Sequence, residues 1–142
     1  MLSAPAAEVW VPRFIALLAG AYEMSEQIEE SSALLDEALQ IVERTGERWF
    51  APEVNRHKGQ LLLRQGHSEA AEELYRQALT IAQEQEAKLW ELRAAVSLGG
   101  LWRDPGRPAA ARDLLAPVYD WFTEGFGTPD LKEARALLDE LG

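Results

Sequence analysis

Residues 59–78 read Gly59-Gln60-Leu61-Leu62-Leu63-Arg64-Gln65-Gly66-His67-Ser68-Glu69-Ala70-Ala71-Glu72-Glu73-Leu74-Tyr75-Arg76-Gln77-Ala78. Gly66 divides this run into the end of one helix and the start of another. A glycine just past a helix supplies the left-handed conformation that closes its last turn. The preceding helix is predicted over Ala51–Arg64, with Val54, Leu61 and Leu62 as its apolar positions. The following helix is predicted from about Ser68 to Gln85. There Ala71, Leu74, Tyr75, Ala78 and Ala82 recur at helical spacing on one face, while Glu69, Glu72, Glu73 and Arg76 occupy the other.

The same pattern recurs at a 40-residue interval on either side. Trp10, Phe50 and Trp90 share one column, and Ala19, Gly59 and Gly99 a second. Ser31, Ala71 and Ala111 form a third, Leu34, Leu74 and Leu114 a fourth, and Ala38, Ala78 and Val118 a fifth. Self-similarity at such a period marks a stacked-repeat protein, whose units bury their apolar faces against their neighbours. The first row places Phe14, Leu18 and Tyr22 on one helix, then Leu34, Leu35, Ala38, Leu39 and Val42 on a second that ends at Gly46. The third row carries Ala94, Leu98, Leu101 and Trp102, a turn at Asp104-Pro105-Gly106, and a helix opened by Pro108. Proline fits a first helical turn because that N–H has no helical partner, and Pro12 and Pro52 share this role. Pro117 falls inside a helix, where it should free the Asp113 carbonyl and bend the axis. Thr128-Pro129 is predicted to cap and open a last helix. Its Ala134, Leu138 and Leu141 align with Ala94, Leu98 and Leu101, and its outer face is polar, as expected of a cap.

At 142 residues the protein fits one domain. We assign repeats to about 10–49, 50–89 and 90–129, with a capping helix over about 129–141. No apolar run approaches the roughly 18 residues of a membrane span. Residues 1–7 show no basic region followed by an apolar one, so no secretory signal is expected and a cytoplasmic setting is the default. With no cysteine, disulfide frameworks, thiolate metal sites and cysteine nucleophiles are excluded. A formal net charge of −10 disfavours nucleic-acid binding, because phosphate backbones are repelled.

Gly59, Leu62, Gly66, Ala71, Tyr75 and Ala78 reproduce the spacing of the tetratricopeptide repeat, which the sequence resembles over nearly its whole length. Gly99, Trp102, Gly106, Ala111, Leu115 and Val118 repeat that spacing. Ala19, Tyr22, Glu26, Ser31, Leu35 and Ala38 follow it with Glu26 in place of the turn glycine and Ser31 in place of the buried alanine. The resemblance implies an all-α, right-handed superhelical stack of three helix-turn-helix pairs plus a C-terminal capping helix. The usual period is shorter than 40, and longer repeats resemble those of bacterial STAND-type signalling ATPases. Leu34-Leu35-Asp36-Glu37-Ala38-Leu39 and Asp120-Trp121-Phe122-Thr123-Glu124-Gly125-Phe126 look similar to the C-terminal repeat regions of large bacterial proteins that join a nucleotide cyclase to an ATPase.

Charge also divides by helix. The second-helix segments 26–46 and 67–86 carry 11 acids against 2 bases, whereas the first-helix segments 47–66 and 87–107 carry 4 acids against 8 bases. The resemblance implies that the first helices line a concave groove, with Arg13, Glu53, Arg56, His57, Gln60, Arg64, Arg93 and Arg103 facing it. Arginine's planar fork matches carboxylates, so an acidic peptide or the free carboxyl terminus of a partner is one expected guest. The alternative is that these arginines pair with glutamates of adjacent helices. The Lys/Asn set of the chaperone-binding carboxylate clamp is missing, since Gln60, Ser97 and Gly100 occupy comparable columns.

His57 and His67 lack the clustered ligands of a metal site. Glu29/Glu30 and Glu72/Glu73 lie on polar helix faces and are read as solvated rather than as acid–base pairs. No phosphate-binding, dinucleotide-binding, zinc-protease or serine-hydrolase motif occurs, so no catalytic residue and no cofactor are assigned. Trp10, with Phe14 nearby, stands at an apolar end with no preceding repeat to cover it, and is expected to dock another domain or a second copy of the protein. The expected function is a non-catalytic protein-interaction module. The alternatives are a self-associating brace for an ATPase or cyclase domain and a small-molecule sensor.

Overall fold

The computed structural model describes residues 28–45, 51–103 and 106–142. Within them lie six α-helices and no strand: α1 (Ile28–Thr45), α2 (Ala51–Arg64), α3 (Ser68–Glu84), α4 (Lys88–Arg103), α5 (Pro108–Asp120) and α6 (Pro129–Leu141). The protein is an all-α stack of helix pairs. The opening helix expected around Phe14, Leu18 and Tyr22, and residues Trp10, Arg13, Gly46, Phe50, Asp104 and Pro105, lie outside the described residues.

Three of the repeat columns coincide with buried positions among the described residues, while Leu34, Leu74 and Leu114 are half-buried. Ser31, Ala71 and Ala111 are each 0% exposed, and Leu35, Tyr75 and Leu115 are all buried at the next helical turn. Small residues recur there because the second helix of each pair must approach the first closely. Ser31 occupies the alanine position without opening it to solvent.

The turns between helices follow from local chemistry. Gly66, at φ +87°, lets His67 N–H donate to Leu62 C=O at 2.9 Å and Gly66 N–H to Leu63 C=O at 3.0 Å. These are the two bonds of a Schellman closure, which satisfy carbonyls that the helix end leaves without partners. Gly106, at φ +81°, does the same for α4 through Arg107 N–H to Trp102 C=O at 3.1 Å. Between α3 and α4 the left-handed position is held by Glu86, at φ 55°, with Ala87 N–H donating to Ala82 C=O at 2.9 Å.

Two expectations about proline and capping are refined. Helix α5 continues through Pro117 to Asp120. Thr128 does sit at the N-cap of α6, with Pro129 at its start, but its side chain makes no capping bond. Its hydroxyl instead donates backwards to Gly125 C=O at 2.7 Å, closing the loop that precedes the helix.

The helices alternate in a consistent way. Among the described helices, second helices pack on first helices: α1 on α2, α3 on α2 and α4, and α5 on α4 and α6. The first helices also touch one another in series, α2 with α4 and α4 with α6. One continuous cluster joins Tyr75 of α3, Leu92 and Leu98 of α4, Leu115 of α5 and Leu138 of α6. A second cluster joins Leu35 and Ala38 of α1 to Val54 and Leu61 of α2, with Trp90 of α4 packed against it. The aromatic column thus packs between successive units at Trp90.

Candidate functional site

The series α2–α4–α6 brings the candidate residues together, because each first helix lies beside the next. Arg56 binds Glu53 one turn earlier through two bonds, Nε to Oε2 at 2.7 Å and Nη2 to Oε1 at 3.0 Å. Arg93, 40 residues from Glu53, reaches across from α4 and donates Nη1 to Glu53 Oε1 at 2.7 Å. Its other two nitrogens form a fork on Asp130 of α6, both at 3.0 Å. The guanidinium also lies 5.1 Å from the centre of the Trp90 ring, within cation–π range. Farther along the same helices, Arg103 of α4 bonds Glu140 of α6.

A ladder of alternating charge therefore crosses three first helices. Its central carboxylate, Glu53, is only 2% exposed. Burial raises its pKa, but hydrogen bonds and charge from Arg56, followed by Arg93, outweigh that and hold it below the ordinary carboxylate value. His57 lies four residues along the same helix, and its Nδ1 is buried with no hydrogen-bond partner among the described residues. Burial first, and then the charge of Arg56, push its pKa down from 6.5 to about 4. It is accordingly a neutral imidazole at neutral pH.

Of the residues expected to face a guest, Arg56 and Arg93 direct their forks to carboxylates of the protein itself, and Arg103 bonds Glu140. Gln60 is half-buried, and Arg64 and Arg103 are exposed. Leu63 is 39% exposed, and a Cβ built on Gly100 would meet nothing within 4 Å, so that end of the first helices is open. Arg13, Trp10 and Phe14 lie outside the described residues.

One cluster is not apparent from the repeat columns. Arg76 of α3 and Arg107 before α5 both stack on Trp102, at 5.1 and 5.2 Å from its ring centre. Both also bond Glu72, Arg76 Nη2 to Oε2 at 2.7 Å and Arg107 Nη2 to Oε1 at 3.1 Å. Glu72 is thus a hub rather than a solvated carboxylate, and the Arg76 bond above all lowers its pKa. The i,i+4 spacing of Glu72 and Arg76 was visible in sequence. The 35-residue reach of Arg107 was not.

A family model described as tetratricopeptide repeat matches residues 12–84, half of the sequence. The protein belongs to the tetratricopeptide repeat family. No curated protein and no solved structure matches it. Tetratricopeptide repeats generally mediate protein–protein interaction and are typically non-catalytic. In this repeat protein, no described helix is long and apolar enough to cross a membrane. Among its described residues, no group of three or more His, Cys, Asp or Glu could hold a metal ion.

Proposed function

We propose that this protein is a non-catalytic module that binds a peptide or partner domain along the exposed face of its first helices, within a cytoplasmic bacterial signalling protein. The bacterial context rests on the residue-level resemblance alone. The observation that carries the binding role is the serial packing of α2, α4 and α6, whose charge ladder holds three first helices in one fixed spacing. Such a preformed surface lowers the ordering cost of binding. Toward the ends of these helices Leu63, Arg64 and Arg103 are exposed, with Arg103 also bonded to Glu140 of α6. The guest we favour is an acidic peptide with an apolar residue beside its carboxylates. Arg56 and Arg93 act as the internal frame and not as contacts.

The test is calorimetric titration with a capped peptide of alternating glutamate and leucine. Arg64→Ala with Arg103→Ala should weaken binding about tenfold and flatten its salt dependence, as expected for loss of charge-assisted bonds. Equal affinity in wild type and the double variant would sink the proposal.

A further inference from the structure

At the edge opposite the Schellman glycines, the carboxyl ends of α3 and α5 and the amino end of α4 enclose a cleft of about 670 Å³. Gln83, Glu86, Lys88, Glu91 and Trp121 line it. Trp121, the C-cap residue of α5, is 57% exposed, the most of any large apolar side chain among the described residues. Phe126, in the loop after it, and Leu89, in the first turn of α4, are also exposed. A tryptophan that contributed only to the core would not be so open.

The electrostatics of the cleft are one-sided. Neither α3 nor α5 has a basic residue in its last turn, so the negative ends of two helix dipoles are left uncompensated there. Glu86 projects from the turn and has no ion-pair partner among the described residues. Among the described residues that line the cleft, the one cation is Lys88, which bonds Glu91 at 3.3 Å and lies 5.5 Å from the Trp121 ring centre. The indole is therefore already a cation platform, and Lys88 neutralises one of the two lining carboxylates.

We propose that this cleft docks an arginine-bearing segment of a partner protein, its guanidinium stacked on Trp121 and bonded to Glu86. Arginine fits better than lysine because its planar group can stack on the ring while donating in-plane to a carboxylate. This site is separate from the first-helix face and has the opposite charge preference.

The probe is a labelled heptapeptide with one arginine flanked by leucines, titrated with the 142-residue protein and followed by fluorescence anisotropy. Trp121→Ala and Glu86→Gln should each weaken it about tenfold, through loss of the stack and of the charged bond. Arg64→Ala should leave it unchanged, which separates this result from failure of the first-helix site. A peptide with neutral citrulline in place of arginine should bind at least about tenfold more weakly, and spermidine should not displace the arginine peptide. Circular dichroism checks that Trp121→Ala is folded, and Glu86→Gln gives an independent surface variant. No saturable binding by wild type, binding indifferent to both substitutions, or full displacement by spermidine would each overturn the proposal.

Discussion

Gly59 and Gly99 share a repeat column, but their surroundings differ. A Cβ at Gly59 would come within 2.6 Å of Tyr75 Cε1 and 2.8 Å of Cδ1, whereas one at Gly99 would lie 3.4 Å from Leu137 Cδ2. Tyr75 is buried, so its ring has little room to give. Gly59→Ala should therefore destabilise by about 1–3 kcal/mol through overpacking. Gly99→Ala should be neutral or stabilise by up to about 1 kcal/mol from helix propensity. Urea unfolding of the two variants checks both signs. His57 supplies a second residue-scale prediction. Its folded pKa of about 4 lies below the ordinary 6.5, so the unfolded state binds the proton more readily. The neutral imidazole's contribution is complete above pH 6.5 and is lost as pH falls toward 4, by up to about 3 kcal/mol. Glu53 adds its own loss at lower pH, because its depressed pKa favours the fold only above the ordinary carboxylate range. His57→Gln should flatten the stability profile between about pH 7 and 5 in chemical denaturation, and an unchanged slope would refute this account.

Among elements, the three described Schellman turns differ in one residue. Two use glycine at the left-handed position, and the α3–α4 turn uses Glu86. A side chain there costs conformational energy that glycine avoids. Glu86→Gly should raise stability by about 1 kcal/mol, read as a shift in the urea midpoint at constant slope. The helix starts at Ala51 and Ser68 and the end at Arg64 were legible in sequence because Gly66 and the apolar spacing are local signals. The course of α5 through Pro117 was less so. A bend was expected from local chemistry; the helix runs on past Pro117 to Asp120, with Leu115 and Val118 on either side of it buried.

At the scale of the whole molecule, Arg93 links three first helices that are distant in sequence. Arg93→Ala strands the buried Glu53 with one arginine and removes the fork on Asp130, so it should cost about 2–3 kcal/mol. Arg103→Ala removes a surface pair with Glu140 and should cost less than about 1 kcal/mol. Thermal unfolding of the two variants, side by side, tests whether burial sets the difference. The ladder also explains why Arg56, Arg93 and Arg103 of the basic first helices meet carboxylates of the protein itself. The arginines of 47–66 and 87–107 stand out within their own segments, whereas Asp130 and Glu140 arrive from α6 to meet Arg93 and Arg103.

The 40-residue period, the small-residue columns and the turn glycines were sufficient to establish an all-α repeat stack. They are local and periodic properties, and helix formation and apolar alternation depend on little else. Which charges meet is a different kind of fact. Glu53 with Arg93, Arg107 with Glu72, and Lys88 with Trp121 are brought together by the stacking of one helix pair on the next. Partners 33 to 40 residues apart in sequence become neighbours only when that packing sets their spacing.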